Sequence, residues 1–248
     1  MSGHSKWHSI KHKKALIDAK RGKMFTKVIK ELQIAARLGG SDPGSNPRLR
    51  TAIQAAKDTN MPKDTMDRAI KKGAGELEGQ AIEEMVYEGY APAGVAVMVE
   101  VSTDNRNRAA SEVRHCFSKY GGNLGQSGCV SYLFERKGVI EVEDPNDDKV
   151  MEAALEAGAE DVDSEDSFHE ITTAPDEVQT VREALEAAGL KVTSSSVKQI
   201  PSTRVELTVD DAKSVLRLIE KLEELDDVDE VYTNMDMSEE VAAAVGAS

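Results

Sequence analysis

The first 30 residues hold nine Lys and Arg, namely Lys6, Lys11, Lys13, Lys14, Lys20, Arg21, Lys23, Lys27 and Lys30, against one acid, Asp18. Fixed cations at this density bind polyanions by displacing the counterions around phosphates. Residues 1–72 carry 17 basic and 6 acidic side chains, a balance of +11, while the other 176 carry 14 and 39, a balance of −25. A local positive field attracts polyanions whatever the global sign, so this step in charge implies a nucleic-acid-binding head on an acidic body. Trp7, the only tryptophan, sits among these lysines. It can stack on a base or pack the arm onto the helices behind it. With Arg37, Arg48 and Arg50 further along, the expected nucleic-acid set is the nine cations plus Trp7 and these three arginines.

Other constellations are weaker. His4, His8 and His12 would line one side of a helix, but no neighbouring Cys or Glu completes a metal set. The cluster Gly121-Gly122-Asn123-Leu124-Gly125-Gln126-Ser127-Gly128 lacks the Gly-Lys-Ser/Thr ending of a nucleotide loop and leads into a strand, which favours a tight turn. Asp161, Asp163, Glu165 and Asp166 imitate a calcium loop, yet it has no glycine at its sixth position and Thr172 where the closing Glu belongs, which implies a solvated turn. Cys116 follows His115 directly, and adjacent helical residues point apart. No cofactor fingerprint, metal cluster or hydrolytic triad emerges; the expectation is a protein that is not an enzyme and needs no cofactor.

The elements that position the cations follow from periodicity. Phe25, Val28, Ile29, Leu32 and Ala36 form one helical stripe, with Lys20, Lys23, Lys27, Lys30 and Arg37 on the opposite side. Gly39-Gly40 stops this helix. Asn46-Pro47 reads as N-cap and first turn of a second, burying Leu49, Ala52, Ile53 and Ala56. A third, with Met66, Ala69 and Ile70 inward, runs from beyond Pro62 to about Lys72. Residues 1–19 read as a mobile arm.

Beyond Gly79 the pattern turns mixed. Val95–Val101 reads as a buried strand, Arg106–Lys119 as a helix capped by Thr103-Asp104, and Val130–Phe134 as another strand. The order returns late as strand 204–209, helix 211–225 and strand 228–233. Between them β-α-β occurs twice, with strands 138–143, 168–173 and 191–198 around two helices. The expected fold is therefore α+β and multidomain: an N-terminal three-helix domain, then two ferredoxin-like (split βαβ) α/β domains, one inserted in the other. The expected boundaries are 1–77 for the head, 78–135 plus 204–238 for a middle domain, 136–203 for an inserted acidic module, and 239–248 for a flexible tail. Two cysteines imply a reducing compartment. With no membrane-length apolar run, no secretory signal and Ser2 after Met1, the expected location is the cytoplasm and no membrane partner is implied.

Several stretches together resemble a known family. They are Gly3-His4-Ser5-Lys6-Trp7, Asp18–Lys23, Phe25-Thr26-Lys27, Asn60-Met61-Pro62, Arg68-Ala69-Ile70, Tyr87-Glu88-Gly89-Tyr90, Thr103–Arg108 and Gly121–Gly125. The chain resembles the YebC/PmpR family through them. Tyr90-Ala91-Pro92 departs from the more usual Tyr-Gly-Pro, and Cys129 from a commoner Ser or Ala. The resemblance implies a three-domain protein of the bacterial cytosol that binds DNA and regulates transcription. Mitochondrial members act as translational activators, so the alternative it implies is a ribosome-associated factor binding ribosomal RNA or mRNA through the same head. A protein partner at the acidic domains is a further expectation.

Overall fold

A computed structural model describes residues 17–78, 81–165 and 167–246, with side chains from Met24 onward and excepting Glu239. Helix α1 spans Ile17–Gly39, α2 Pro47–Asp58 and α3 Lys63–Gly73. Leu32, Ala35, Ala36, Leu49, Ala52, Ala56, Met61 and Ala69 are buried together, with Phe25, Val28, Ile29, Ile53, Met66 and Ile70 packed at their edge. The apolar stripes therefore meet as their spacing requires. One buried side chain joins the first two helices: Asn46 Nδ2 donates to Ala35 O and Gly40 O at 2.8 Å, while its Oδ1 accepts from the Leu49 N–H at 3.1 Å. It satisfies carbonyls that end α1 and an amide that begins α2. A Cβ on Gly39 would lie 2.5 Å from Asn46 Nδ2, so only glycine fits there.

The next sheet, completed by a strand from late in the chain, β9 (Val228–Thr233), has order β3-β1-β2-β9. β1 (Glu83–Tyr90) and β2 (Ala96–Thr103) form an antiparallel hairpin, α4 (Arg106–Lys119) follows, and β3 (Asn123–Leu124) returns beside β1. β2 and β3 are thus parallel strands split by β1. β1 was not evident in the sequence. Asn105, not Thr103 or Asp104, caps α4, accepting from the Arg108 N–H at 3.1 Å. The strand expected at 130–134 is instead a 3-10 turn, Ser131–Leu133, and Phe134 opens the next strand.

A second sheet has order β5-β6-β4-β7, every pair antiparallel. The chain runs β4 (Phe134–Glu143), α5 (Asp147–Ala157), β5 (Asp161–Glu165), β6 (Phe168–Thr173), α6 (Val178–Ala187) and β7 (Lys191–Pro201). Ile140, Val142, Val150, Ala154, Ile171, Val181 and Leu185 are among its core residues. Asp161, Asp163 and Glu165, expected in a solvated turn, lie instead on the edge strand β5; the expected fourth member, Asp166, is outside the described residues.

The chain then rejoins the first sheet. β8 (Val205–Glu206) precedes α7 (Val209–Glu223), β9 (Val228–Thr233) pairs antiparallel with β2 from Val97↔Thr233 to Val101↔Val228, and β10 (Met235–Asp236) pairs parallel with β8. Ala109, Val113 and Phe117 of α4 meet Val215, Leu218 and Leu222 of α7 over Val97, Val99 and Val101. The closing stretch, expected as a flexible tail, forms α8 (Glu239–Gly246), with Ala242 buried and Val241 and Val245 against that core. Val241 and Val245 fall four residues apart on one face, and the apolar surface of α7 holds them. The fold is α+β and multidomain: a helical region followed by two sheet-containing ones. No helix among the described residues is long and apolar enough to cross a membrane.

Candidate nucleic-acid interface

Lys6, Trp7, Lys11, Lys13 and Lys14, with His4, His8 and His12, lie outside the described residues. Lys20, Arg21 and Lys23 occupy the first turns of α1. Arg37 is exposed near its end. Arg50 donates to Pro43 O and Gly44 O at 2.8 and 3.1 Å, pinning the loop before its own helix.

Three expected phosphate ligands are otherwise engaged. Lys27 Nζ donates to Asp229 O and lies 3.9 Å from Glu230. Lys30 Nζ donates to Ser102 O and Asp226 O at 2.8 Å and pairs with Asp227 at 3.4 Å, leaving its side chain 13% exposed. Arg48 bridges Glu31 and Glu84 at 2.7 and 2.5 Å, and those two carboxylates hold its guanidinium above the ordinary arginine range against the opposing effect of burial. The cationic side of α1 is therefore not a free row but a seam: at Lys27 it docks the head onto β9, and at Lys30 onto the end of β2 and the loop before β9. The helical period located these lysines correctly, but only their partners, some 200 residues later, reveal what the lysines face.

Asp227 is the hub of that seam. Its Oδ2 accepts from Thr103 Oγ1 at 2.8 Å and from Arg108 Nη2 at 2.7 Å, while Oδ1 faces Lys30. Arg108 also reaches Asp104 at 3.0 Å. Burial pushes the Asp227 carboxyl up, but Arg108, Thr103 and Lys30 together hold it below its usual value. Nearby Asp229 goes the other way: burial outweighs Ser102, Lys30 and Lys27 and pushes it up to about 6. The Thr103–Arg108 motif is thus a cap and a docking fork. Beside it an open cleft of about 310 Å³ is lined by Lys30, Lys72, Ile82, Asp104, Arg108 and Asp227.

The glycine cluster serves a carboxylate of its own chain. Glu88, 5% exposed on β1, accepts from the N–H groups of Gly128, Val130 and Ser131 at 2.7, 2.8 and 2.8 Å. Burial raises its pKa, and these three donors outweigh burial and hold it below the usual value. Gly128 has φ +89°, which aims the loop amides at Glu88. The turn forms an anion cradle, and its anion is internal. No group of three or more His, Cys, Asp or Glu able to hold a metal occurs among the described residues.

The N-terminal domain profile of TACO1/YebC proteins matches residues 5–76, and the profile of their second and third domains matches residues 82–235. The chain belongs to the TACO1/YebC family. A "Probable transcriptional regulatory protein" of Tolumonas auensis is 58% identical over 246 residues, covering 99% of this chain and 100% of that one. A protein of the same name from Trichlorobacter lovleyi is 57% identical, covering 96% and 97%. The crystal structure of a conserved hypothetical protein from Aquifex aeolicus superimposes with a TM-score of 0.86 at 54% identity, covering 93% of this chain and 96% of that one.

Proposed function

We propose that this family member is a DNA-binding transcriptional regulator that holds the phosphate backbone through its basic arm and the first turns of α1. The observation that carries this reading is the charge step, +11 over residues 1–72 against −25 over the rest. The relatives' shared name supports the regulatory part. Because Lys27, Lys30 and Arg48 dock the head, the ligand-facing cations are Lys6, Lys11, Lys13, Lys14, Lys20, Arg21 and Lys23, with Arg37 on the flank. Phosphate contacts of this kind position a protein without reading sequence, so target choice falls to few residues, Trp7 first among them.

Replacing Lys6, Lys11, Lys13, Lys14, Lys20 and Lys23 by Gln should reduce the salt slope of duplex binding by about 0.9 per lost contact. An unchanged affinity and slope in the folded variant would place the site elsewhere. Cross-linking in cells, followed by sequencing of the bound nucleic acid, should recover chromosomal DNA at promoters; recovery of ribosomal RNA alone would count against a transcriptional role. We further propose that 136–203 is a separately folding unit within a middle domain of 78–135 and 204–238. Its own core and the pairing of β9 with β2 support this. Replacing 136–203 by a short Gly/Ser linker should then leave a cooperative melt; a non-cooperative one would show a shared core.

A further inference from the structure

Among the described helices of the acidic body one is basic. Helix α4 carries Arg106, Arg108, Arg114 and Lys119 against Glu112, a balance of +3, whereas α5, α6, α7 and α8 stand at −3, −1, −1 and −2. Its inner face is apolar, with Ala109, Val113, Cys116 and Phe117 buried. Its solvent face presents Arg106, Asn107, Ser111, Arg114, His115 and Lys119, all exposed. Glu112 is half-buried, and its charge acts on the buried Cys116 thiol, so the one acid sits toward the core side. Exposed cations interleaved with short polar side chains let a phosphate backbone approach closely, where long side chains would hold it off.

Position strengthens the case. Lys72 at the end of α3 and Arg108 at the start of α4 line the same cleft. The cations of the head and those of α4 are therefore neighbours across the domain junction. Arg108 is occupied by Asp227 and Asp104, but the Arg106 side chain is 71% exposed and held at 3.6 Å by Glu83, itself 52% exposed. A pair this exposed yields readily to a phosphate. The helix is about 21 Å long, the axial rise of about six nucleotides of one strand.

We propose that the solvent face of α4 is a second nucleic-acid backbone contact, continuing from the head across the Lys72–Arg108 cleft. This rests on the reading of the head as nucleic-acid-binding and adds a surface on the middle domain to it. One strand lies against both domains, so ligand and domain docking are coupled: a strand held at both ends favours the docked arrangement fixed by Lys30 and Asp227.

The test is fluorescence anisotropy of full-length protein with a duplex DNA of about 20 base pairs across a salt series. Replacing Arg106, Arg114 and Lys119 by Gln should weaken binding at least about tenfold and lower the salt slope by roughly 2 to 3. Arg114→Gln alone should lower it by about 0.9. The control, Lys213→Gln with Arg217→Gln on the exposed side of α7, should change neither quantity measurably. Wild-type affinity and slope in the triple variant, or an equal loss per charge in the α7 control, would overturn the α4 surface while leaving the head reading intact. A wild-type protein that binds no nucleic acid would overturn both.

Discussion

Helices α1 and α4 are built alike and used differently. Each packs an apolar stripe inward and carries cations outward, but Lys27 and Lys30 of α1 end on carbonyls and carboxylates of the middle domain. Arg114 and His115 of α4 end in solvent. The difference teaches that charge on a helix face does not state its purpose; what matters is whether the fold supplies a matching carboxylate. Where it does, as at Asp227, the cation holds domains together. Where it does not, the cation is available to a ligand.

The sharpest way to break this contrast is at the hub. Asp227→Asn leaves Arg108 and Lys30 facing a neutral amide and should cost about 3 kcal/mol at pH 7, the upper end for hydrogen bonds to a charged group, read as a lower denaturant midpoint. The folded pKa of Asp227 is depressed, so its contribution is present above the unfolded carboxylate value and is lost as pH falls through the folded one. The gap between variant and wild type should therefore begin to narrow below about pH 4 and keep narrowing as pH falls. A gap that persists undiminished into acid would mean that the residue acts through packing alone.

Lys30→Met comes next, at about 2 to 3 kcal/mol, because it strips donors from Ser102 O and Asp226 O. It should leave the salt slope of DNA binding unchanged, and a drop in slope would return Lys30 to the ligand surface. Asp229→Asn should act with opposite sign. Its folded pKa of about 6 lies above the ordinary value, so stability falls as pH rises between about 4 and 6. The variant should be more stable than wild type at pH 7 by on the order of 1 kcal/mol and equal to it near pH 4, by thermal melting at each pH. Smallest in stability is Arg37→Gln, within about 0.5 kcal/mol, yet it should lower the salt slope by about 0.9. Unaltered binding there would confine the ligand to the arm and first turns.

What could be read from the chain divides along the range of the interactions. The head was legible because its signals are local: a 3.6-residue stripe, a Gly-Gly stop and an Asn-Pro start, each confirmed within a turn or two. β1 was not, because Glu84 and Glu88 interrupt its apolar character, and Glu88 is buried only through amides some 40 residues later. β5 escaped because an edge strand needs one partner and tolerates acids along it. For the same reason Val130, apolar and buried, suggested a strand where the chain turns to supply those amides. The cations were visible by type and spacing, but Asp227 stands 197 residues from Lys30, and nothing in the acidic run around it marks one carboxylate as a hub.

The pairing of β2 with β9 sets a clock on how the protein is made. Val97 meets Thr233, so the inner strand of the first sheet must wait for 136 further residues before its second edge is covered. At about 5 to 20 residues per second, that wait is roughly 7 to 27 s. Throughout it, a strand carrying Val97, Val99 and Val101 offers an open edge to any other chain being synthesised nearby. The intervening β4–β7 sheet has all its strands in hand by Pro201 and can close first. Synthesis order therefore makes the β3-β1-β2-β9 sheet, though it begins earlier, later than the β4–β7 sheet to become safe from aggregation.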